Sequence, residues 1–273
     1  MTESTRNHER IEESYPKGVS AHVLWAPGRS AELFVPEQYL HSASFDLLFH
    51  FHGAGFVSAF AADKFPRPLV AVTINLGSGS SRYDNGFLDT ASFPAALDSV
   101  RAALNTLHLA STIDRIYLSG WSAGYGAVRR ILSTESNYAK VTGVLLLDGI
   151  HASYVPERTV LAEGGTIDTN DVAVFLRLAR DASDPNSSKQ FLITHSEVFP
   201  GTFVSTTEAT DYLLRQLGIA RTPVLEWGPL GMQLLSRSRR GHFEVLGFAG
   251  NSAQDHVDHL HGLFRFLNLL AGL

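Results

Sequence analysis

The chain has 273 residues, 44% hydrophobic and 18% charged, which suits one large domain with a buried core and excludes a disordered chain. Its formal net charge is -5, and no basic tract calls for nucleic acid or an anionic membrane as a partner. The absence of cysteine excludes disulfides, thiolate catalysis and cysteine-based zinc sites, while leaving the redox compartment open.

Met1 to Lys17 is polar and charged and has no apolar h-region. It predicts a flexible tail over 1–18 and a single domain over 19–273, with neither a secretion signal nor a transmembrane span. A cytoplasmic protein is the default expectation, and a secreted one whose signal has been removed is the alternative. Val19 to Trp25 and Ala31 to Val35 alternate apolar and polar residues about Pro27-Gly28, the pattern of a hairpin at an antiparallel edge. Phe45 to Phe51, Phe-Asp-Leu-Leu-Phe-His-Phe, is dense enough for a strand buried on both faces, and it runs into His52-Gly53-Ala54-Gly55. Leu69 to Leu76 is a further buried strand, followed by a Gly/Ser loop over 77–81. Phe93, Leu97, Val100, Leu104 and Leu107 fall at helical spacing.

Ile116-Tyr117-Leu118 reads as a short strand, and Ala123 to Leu132 as a helix. Val141 to Leu147 is the next strand and ends at Asp148-Gly149. Residues 152–169 lack a period, and 152–185 is read as a small lid or cap inserted after the sixth strand. Asp171 to Arg180 is a helix closed by Asp184-Pro185-Asn186, and Gln190 to Thr194 a strand that leads to His195-Ser196-Glu197. Thr207 to Leu217 is a helix with Thr206 or Thr207 as its N-cap and Glu208 in its first turn. Arg237, Arg239 and Arg240 read as a solvated loop. His242 to Phe248 is the last strand and Ala253 to Leu270 the last helix, its stripe formed by Val257, Leu260, Leu263, Phe264, Leu267 and Leu270. Strands alternating with helices from residue 45 onward predict an α/β fold, a mostly parallel central sheet with helices on both faces.

Between the strand at 116–118 and the helix that follows lies Gly120-Trp121-Ser122-Ala123-Gly124, a complete G-x-S-x-G. Strand, sharp turn and helix form the setting in which this pattern becomes a nucleophile elbow, with glycines where side chains would collide. Ser122 would project from such a turn, open to a substrate.

Three features stand in order: His52-Gly53 after an early strand, the Ser122 elbow after a middle one, and His256 after the last. In this the chain resembles the α/β-hydrolase superfamily, in particular its serine esterases and lipases, over roughly residues 19–270. The resemblance implies Ser122 as nucleophile and a base in the loop after the final strand. His256 fits that place best; His259, one turn on, is the alternative. The third member is a carboxylate that orients the base. Asp148 is preferred because it ends its strand directly, whereas Glu197 stands where the superfamily more often keeps its acid. The oxyanion donors implied are the backbone N–H groups of Ala123 and of Ala54, with Gly55 as the alternative to Ala54.

The cluster Asp255, His256, Asp258, His259 and His261 is not an H-E-x-x-H pattern, and no metal is expected. Gly77 to Ser81 lacks the marks of a phosphate loop, and no cofactor is implied. For each of Trp121, Phe56, Tyr83 and Phe87 both an acyl or aryl pocket and the core are open, the core at least as favoured. The expected function is a carboxylic ester hydrolase acting through a Ser-His-Asp triad on a small-molecule or polymeric ester. An acyltransferase on the same scaffold, or a non-catalytic binding protein of this fold, are the alternatives.

Overall fold

In the computed structural model, which describes residues 7–273, the strand Phe45–Phe51 is buried along its whole length. A strand sends successive side chains to opposite faces. Phe45, Leu47, Phe49 and Phe51 accordingly enter one core, and Leu48 enters another. A strand so apolar on both faces needs helices on both sides.

The chain opens with the hairpin β1 (Gly18–Ala26) and β2 (Arg29–Pro36). There follow β3 (Phe45–Phe51), α1 (Gly55–Asp63), β4 (Leu69–Ile74), α2 (Ser80–Gly86), α3 (Ser92–Thr106), β5 (Ile113–Trp121), α4 (Tyr125–Leu132) and α5 (Glu135–Lys140). The second half comprises β6 (Gly143–Leu147), a small ribbon of β7 (Tyr154–Val155) and β8 (Thr166–Ile167), α6 (Thr169–Ser183), β9 (Gln190–His195) and α7 (Thr206–Leu217). It closes with β10 (Thr222–Trp227), β11 (Gln233–Arg240), β12 (Phe243–Phe248), α8 (Ala253–His261) and α9 (Leu263–Leu270).

The main sheet has the order β1-β2-β4-β3-β5-β6-β9-β12-β11-β10. The run from β4 to β12 is parallel, and antiparallel strands close both edges. One face is covered by α3, α4, α6 and α7 through Phe93, Leu97, Val128, Ile131, Phe175 and Leu213. The other is covered by α1 and α9 through Val57, Ala61, Leu263, Phe266 and Leu267. Among the described residues, no helix is long and apolar enough to cross a membrane.

The register sets the functional edge. Phe51 pairs with Gly120, Trp121 with Leu147, Leu147 with Thr194, and His195 with Gly247. The parallel strands therefore end level, and the residues just beyond them gather along one rim. Within that rim β3 connects to β4 on one side, and the chain then crosses to β5 on the other. The crevice at such a switch point, outside the carboxyl ends of the strands, is where open α/β sheets bind ligands.

Several elements differ from the sequence reading. The last helix is two, divided at Gly262; Leu260, Leu263 and Leu267 share one core across the break, so the stripe hid it. The N-cap of α7 is Ser205, not Thr206 or Thr207, in a capping box with Glu208. Arg237, Arg239 and Arg240 lie on β11 rather than in a loop; Arg237 pairs with Glu226 and Glu244, and Arg240 donates to the α7 carbonyls of Leu217 and Gly218. Residues 236–240 of β11 are all polar and β10 is broken by Pro223 and Glu226, so these outer strands lack the apolar run that marks a central strand. Within 152–185, α6 buries Val172, Phe175, Leu178, Ala179 and Ala182 in the larger core and is one of its covering helices. Residues 1–6 of the expected tail lie outside the described residues. Beyond them the chain is fastened: His8 Nδ1 lies 2.7 Å from Asp258 Oδ2, Arg10 reaches Asp258 Oδ1, and the Tyr15 hydroxyl donates to Glu32.

His50 on β3 and His195 on β9 are both buried. Burial pushes His50 down to about 3; burial, aided by the Arg221 charge, pushes His195 down to about 4. Each binds a proton in the unfolded chain near pH 6.5 but not in the folded one, so stability rises with pH between the two values. The thermal midpoint is expected to fall by several degrees as pH drops from 6.5 to 4, with a shallower fall in His50→Asn. Differential scanning calorimetry checks this, and equal midpoints at pH 6.5 and pH 4 would refute it.

Candidate active site

After β5 the chain makes one turn of 3-10 helix, Ser122–Gly124, and enters α4. Ser122 has a φ of 47°, a left-handed conformation that costs a non-glycine residue on the order of 1 kcal/mol or more. The turn is tight for a steric reason. A Cβ on Gly120 would lie 2.8 Å from the carbonyl carbon of Gly124 and 2.9 Å from the nitrogen of Tyr125, and one on Gly124 would strike Phe51 O of β3. Gly149 makes a further close contact outside the motif. Its Cβ would come within 2.6 Å of Ser122 N and 2.9 Å of Ser122 Cα. Asp148-Gly149 is thus more than a turn: glycine lets β6 end directly against the serine.

Asp148 follows β6 with a φ of 44° and is buried. Its Oδ1 accepts from Ser196 N at 3.0 Å, and its Oδ2 accepts from Ser196 Oγ at 2.6 Å and from His256 Nδ1 at 2.8 Å. Burial pushes the carboxyl up. The His256 hydrogen bond, the charges of His259 and His256 and the Ser196 hydrogen bond outweigh burial and hold it well below the usual carboxylate range. Asp148 is therefore an anion that can only accept, so Nδ1 of His256 carries a hydrogen towards it.

His256 stands in the first turn of α8 because Ser252 and Asp255 form a capping box that starts the helix there. Trp121, the second residue of the G-x-S-x-G, grips it twice. Its ring lies against the imidazole, tilted by 31° with centroids 4.9 Å apart, and its Nε1 donates to His256 O at 3.0 Å. Trp121 also stacks with His52, again at 4.9 Å.

Ser122, Asp148 and His256 line one cavity of about 300 Å³, together with His151, Val198, Pro200, Phe203, Thr206 and Ala253. Ser122 and Ala123 line a second cavity of about 500 Å³. The alternatives lie elsewhere. Glu197 is exposed and fastens the loop before α8: its N–H donates to Gly250 O at 2.7 Å, and its carboxylate accepts from Gly250 N at 3.3 Å. His259 is buried beside Phe248, with Nδ1 2.8 Å from Thr194 Oγ1. The Asp/His stretch on α8 divides: His256 turns to Asp148, whereas Asp255, which caps the helix, and Asp258 gather with His8, their side-chain nitrogen and oxygen atoms within 4.8 Å of one another. Tyr83 and Phe87 belong to the core, Phe56 packs against the second core, and none of the three lines either cavity.

Ala54 is the N-cap of α1, and Gly55 its first residue. The peptide joining Gly53 to Ala54 is held by a residue the sequence reading missed. Asn75 Nδ2 donates to Gly53 O at 3.1 Å, while Asn75 Oδ1 accepts from Gly77 N at 3.0 Å and Tyr83 Oη at 3.1 Å. Two donors on Oδ1 fix which end of the amide faces Gly53. Because a trans peptide points its N–H opposite to its C=O, this grip turns the Ala54 N–H away from Asn75. Tyr83 Oη in turn lies 2.9 Å from His52 Nδ1. Asn75 and Ser196 are polar residues just past strand ends, and nothing in their own residue type or spacing marks them as parts of a site.

No protein-family model matches the chain, and no curated protein sequence matches it. Solved structures do resemble it. An ester-hydrolase from the metagenome of Lake Arreo is 13% identical, covering 97% of this chain and 84% of that one, with a TM-score of 0.53. A feruloyl esterase module from Clostridium thermocellum is 13% identical over 96% and 94% of the two chains, with a TM-score of 0.51. An arylesterase is 16% identical over 97% and 86%, with a TM-score of 0.50. At such identities the likeness speaks for the fold. A mostly parallel sheet layered by helices, with a serine turn at its switch point, defines the class as α/β. The chain has the fold of the α/β-hydrolase superfamily.

Gly149→Ala tests the packing at the serine. The added methyl meets the backbone of Ser122 rather than a movable side chain, so a loss of about 1–3 kcal/mol is expected in urea unfolding. Unchanged stability would mean that β6 and the turn are looser than described.

Proposed function

We propose that this protein is a serine hydrolase that cleaves carboxylic esters through an acyl-enzyme on Ser122. The observation that carries the reading is the His256–Asp148 hydrogen bond of 2.8 Å opening on the same cavity as Ser122. A serine hydroxyl is a poor nucleophile near pH 7 and needs a base. Ser122 Oγ attacks the carbonyl carbon and gives its proton to Nε2 of His256. The ionised Asp148 stabilises the imidazolium and keeps Nδ1 as the bound proton's site.

The tetrahedral oxyanion is held by the N–H groups of Ala123 and Ala54. Both sit at helix N-termini, where unpaired N–H groups and the helix dipole favour negative charge. The intermediate collapses as His256 returns the proton to the leaving oxygen, releasing the alcohol. Water then attacks the acyl-enzyme, giving its proton to His256 Nε2. Breakdown releases the acid and restores the Ser122 hydroxyl. Asn75 acts behind this machinery by aiming the Ala54 N–H, and Ser196 by holding Asp148.

A fluorophosphonate probe is expected to label the folded protein at Ser122 and to leave Ser122→Ala unlabelled. Mass spectrometry of the adduct checks this, and failure to label Ser122 would remove the mechanism. His256→Ala and Asp148→Asn should each lower kcat for a p-nitrophenyl ester by about 10³-fold or more, as loss of triad members does, whereas Glu197→Gln should change it little. Comparable losses in Glu197→Gln and Asp148→Asn would displace Asp148 from the role. Asn75→Ala should lower kcat by about 10- to 100-fold with KM nearly constant, since an oxyanion donor contributes only as charge develops. A rise in KM with kcat intact would show that Asn75 serves ground-state binding instead.

A further inference from the structure

The two cavities that meet at Ser122 differ in chemistry. The smaller, about 300 Å³, is walled by Val198, Pro200, Phe203 and Ala253 and contains His256. The larger, about 500 Å³, presents Ser80, Ser153, Tyr125 and the Arg129–Asp171 ion pair, and it contains Ala123. Ser122, His151 and Phe203 border both. On the serine-hydrolase reading above, the leaving oxygen must lie at His256, which protonates it, and the carbonyl oxygen at Ala123. The alcohol half then enters the apolar cavity, and the acyl half enters the polar one.

The polar cavity offers hydrogen bonds rather than net charge. Arg129 is occupied by Asp171 at 2.9 Å and Asp84 at 3.2 Å, and the second oxygen of Asp171 accepts from Ser153 N at 2.8 Å. A charged acyl group would find no uncompensated partner there. Hydroxyls remain, with Ser80 Oγ accepting from Tyr125 Oη at 3.3 Å, and so does His151.

His151 is the distinctive group. Its ring is set edge-to-face against Tyr125, with centroids 5.4 Å apart, and against Phe203, at 4.8 Å. Its Nδ1 lies 3.1 Å from Val204 O; a carbonyl only accepts, so Nδ1 carries the hydrogen and Nε2 the lone pair. Burial holds the ring below the usual histidine pKa, which keeps it neutral near pH 7. His50 Nε2 and His261 Nδ1 are sealed in the protein without partners, whereas His151 Nε2 keeps access to the cavities that its ring lines. A fixed acceptor beside the nucleophile, on the wall common to both halves of the substrate, matches a hydroxyl donor close to the scissile carbonyl.

We infer that the substrate is an ester of an uncharged, hydroxyl-bearing acyl group with a small apolar alcohol, and that His151 selects it by accepting a hydrogen bond from an acyl hydroxyl. Three probes separate the possibilities. Butyl lactate has the hydroxyl on the acyl side, butyl propionate has none, and 2,3-dihydroxypropyl butyrate carries its hydroxyls on the alcohol side. The wild-type protein should turn over butyl lactate with the highest kcat/KM of the three.

In His151→Phe the lactate-to-propionate ratio should fall about tenfold through a higher KM for lactate, and His151→Gln, which keeps an acceptor, should recover part of it. Using the ratio of the two esters in each protein cancels their different chemical reactivity. A wild-type preference for 2,3-dihydroxypropyl butyrate would overturn the assignment of the cavities. An unchanged ratio in His151→Phe would overturn the role of His151. Fluorophosphonate labelling of Ser122 without turnover of butyl lactate would overturn this inference alone, whereas no labelling would overturn the hydrolase reading with it.

Discussion

Parallel strands buried on both faces cannot slip by one residue without turning every core side chain into the wrong layer. That constraint governs this molecule. Phe45, Leu47, Phe49 and Phe51 belong to one core and Leu48 to the other, and the same alternation repeats in Val144, Leu145, Leu146 and Leu147 of β6. Once register is locked, the ends of β3, β5, β6 and β9 are locked too. His52, Ser122, Asp148 and Ser196 are the residues that follow these ends. Their proximity is a consequence of core packing, with no separate device needed to assemble them.

Strain is concentrated along the same rim. His52, Ser122 and Asp148 all have positive φ, at 69°, 47° and 44°. Each such residue costs on the order of 1–3 kcal/mol and persists only where its surroundings over-determine it. Those surroundings are visible: Gly124 against Phe51 O, Gly149 against the Ser122 backbone, Asn75 on Gly53 O, and Tyr83 on His52. The glycines have no side chain to separate the backbones, so three strands close on one another around the serine. Trp121 extends this packing to α8 by lying against His256.

The position of Asp148 illustrates how neighbouring strands share a task. Asp148 ends β6, yet it is held by Ser196, which follows β9. Glu197, the very next residue, turns outward and ties down Gly250 at the approach to α8. The two strand ends thus divide the work between one carboxylate that faces His256 and one that fastens the loop leading to it. Burial pushes the Asp148 carboxyl up, and the His256 hydrogen bond, the charges of His259 and His256 and the Ser196 hydrogen bond outweigh it.

Much of this was legible in the order of residues. The central strands were, because burial on both faces writes them as apolar runs. The turn at Ser122 was, because a backbone reversal that tight requires glycine at both ends. Strands β10 and β11 were not, since an edge with an exposed face carries no such run, and α1 was not, since it is apolar nearly all round and shows no period. The choice between Asp148 and Glu197 lay beyond the sequence, where each is simply an acid just after a strand. Which of them meets His256 depends on the register of β6 with β9 and on where Ser252 starts α8. The grip of Asn75 on Gly53 and the lone pair of His151 belong to the same category. They join residues far apart in the chain, and only the tertiary structure brings such groups within hydrogen-bonding distance. The sequence by itself determined the layers and the serine turn, because burial and steric exclusion act locally; the partners of that turn were decided by packing across the sheet.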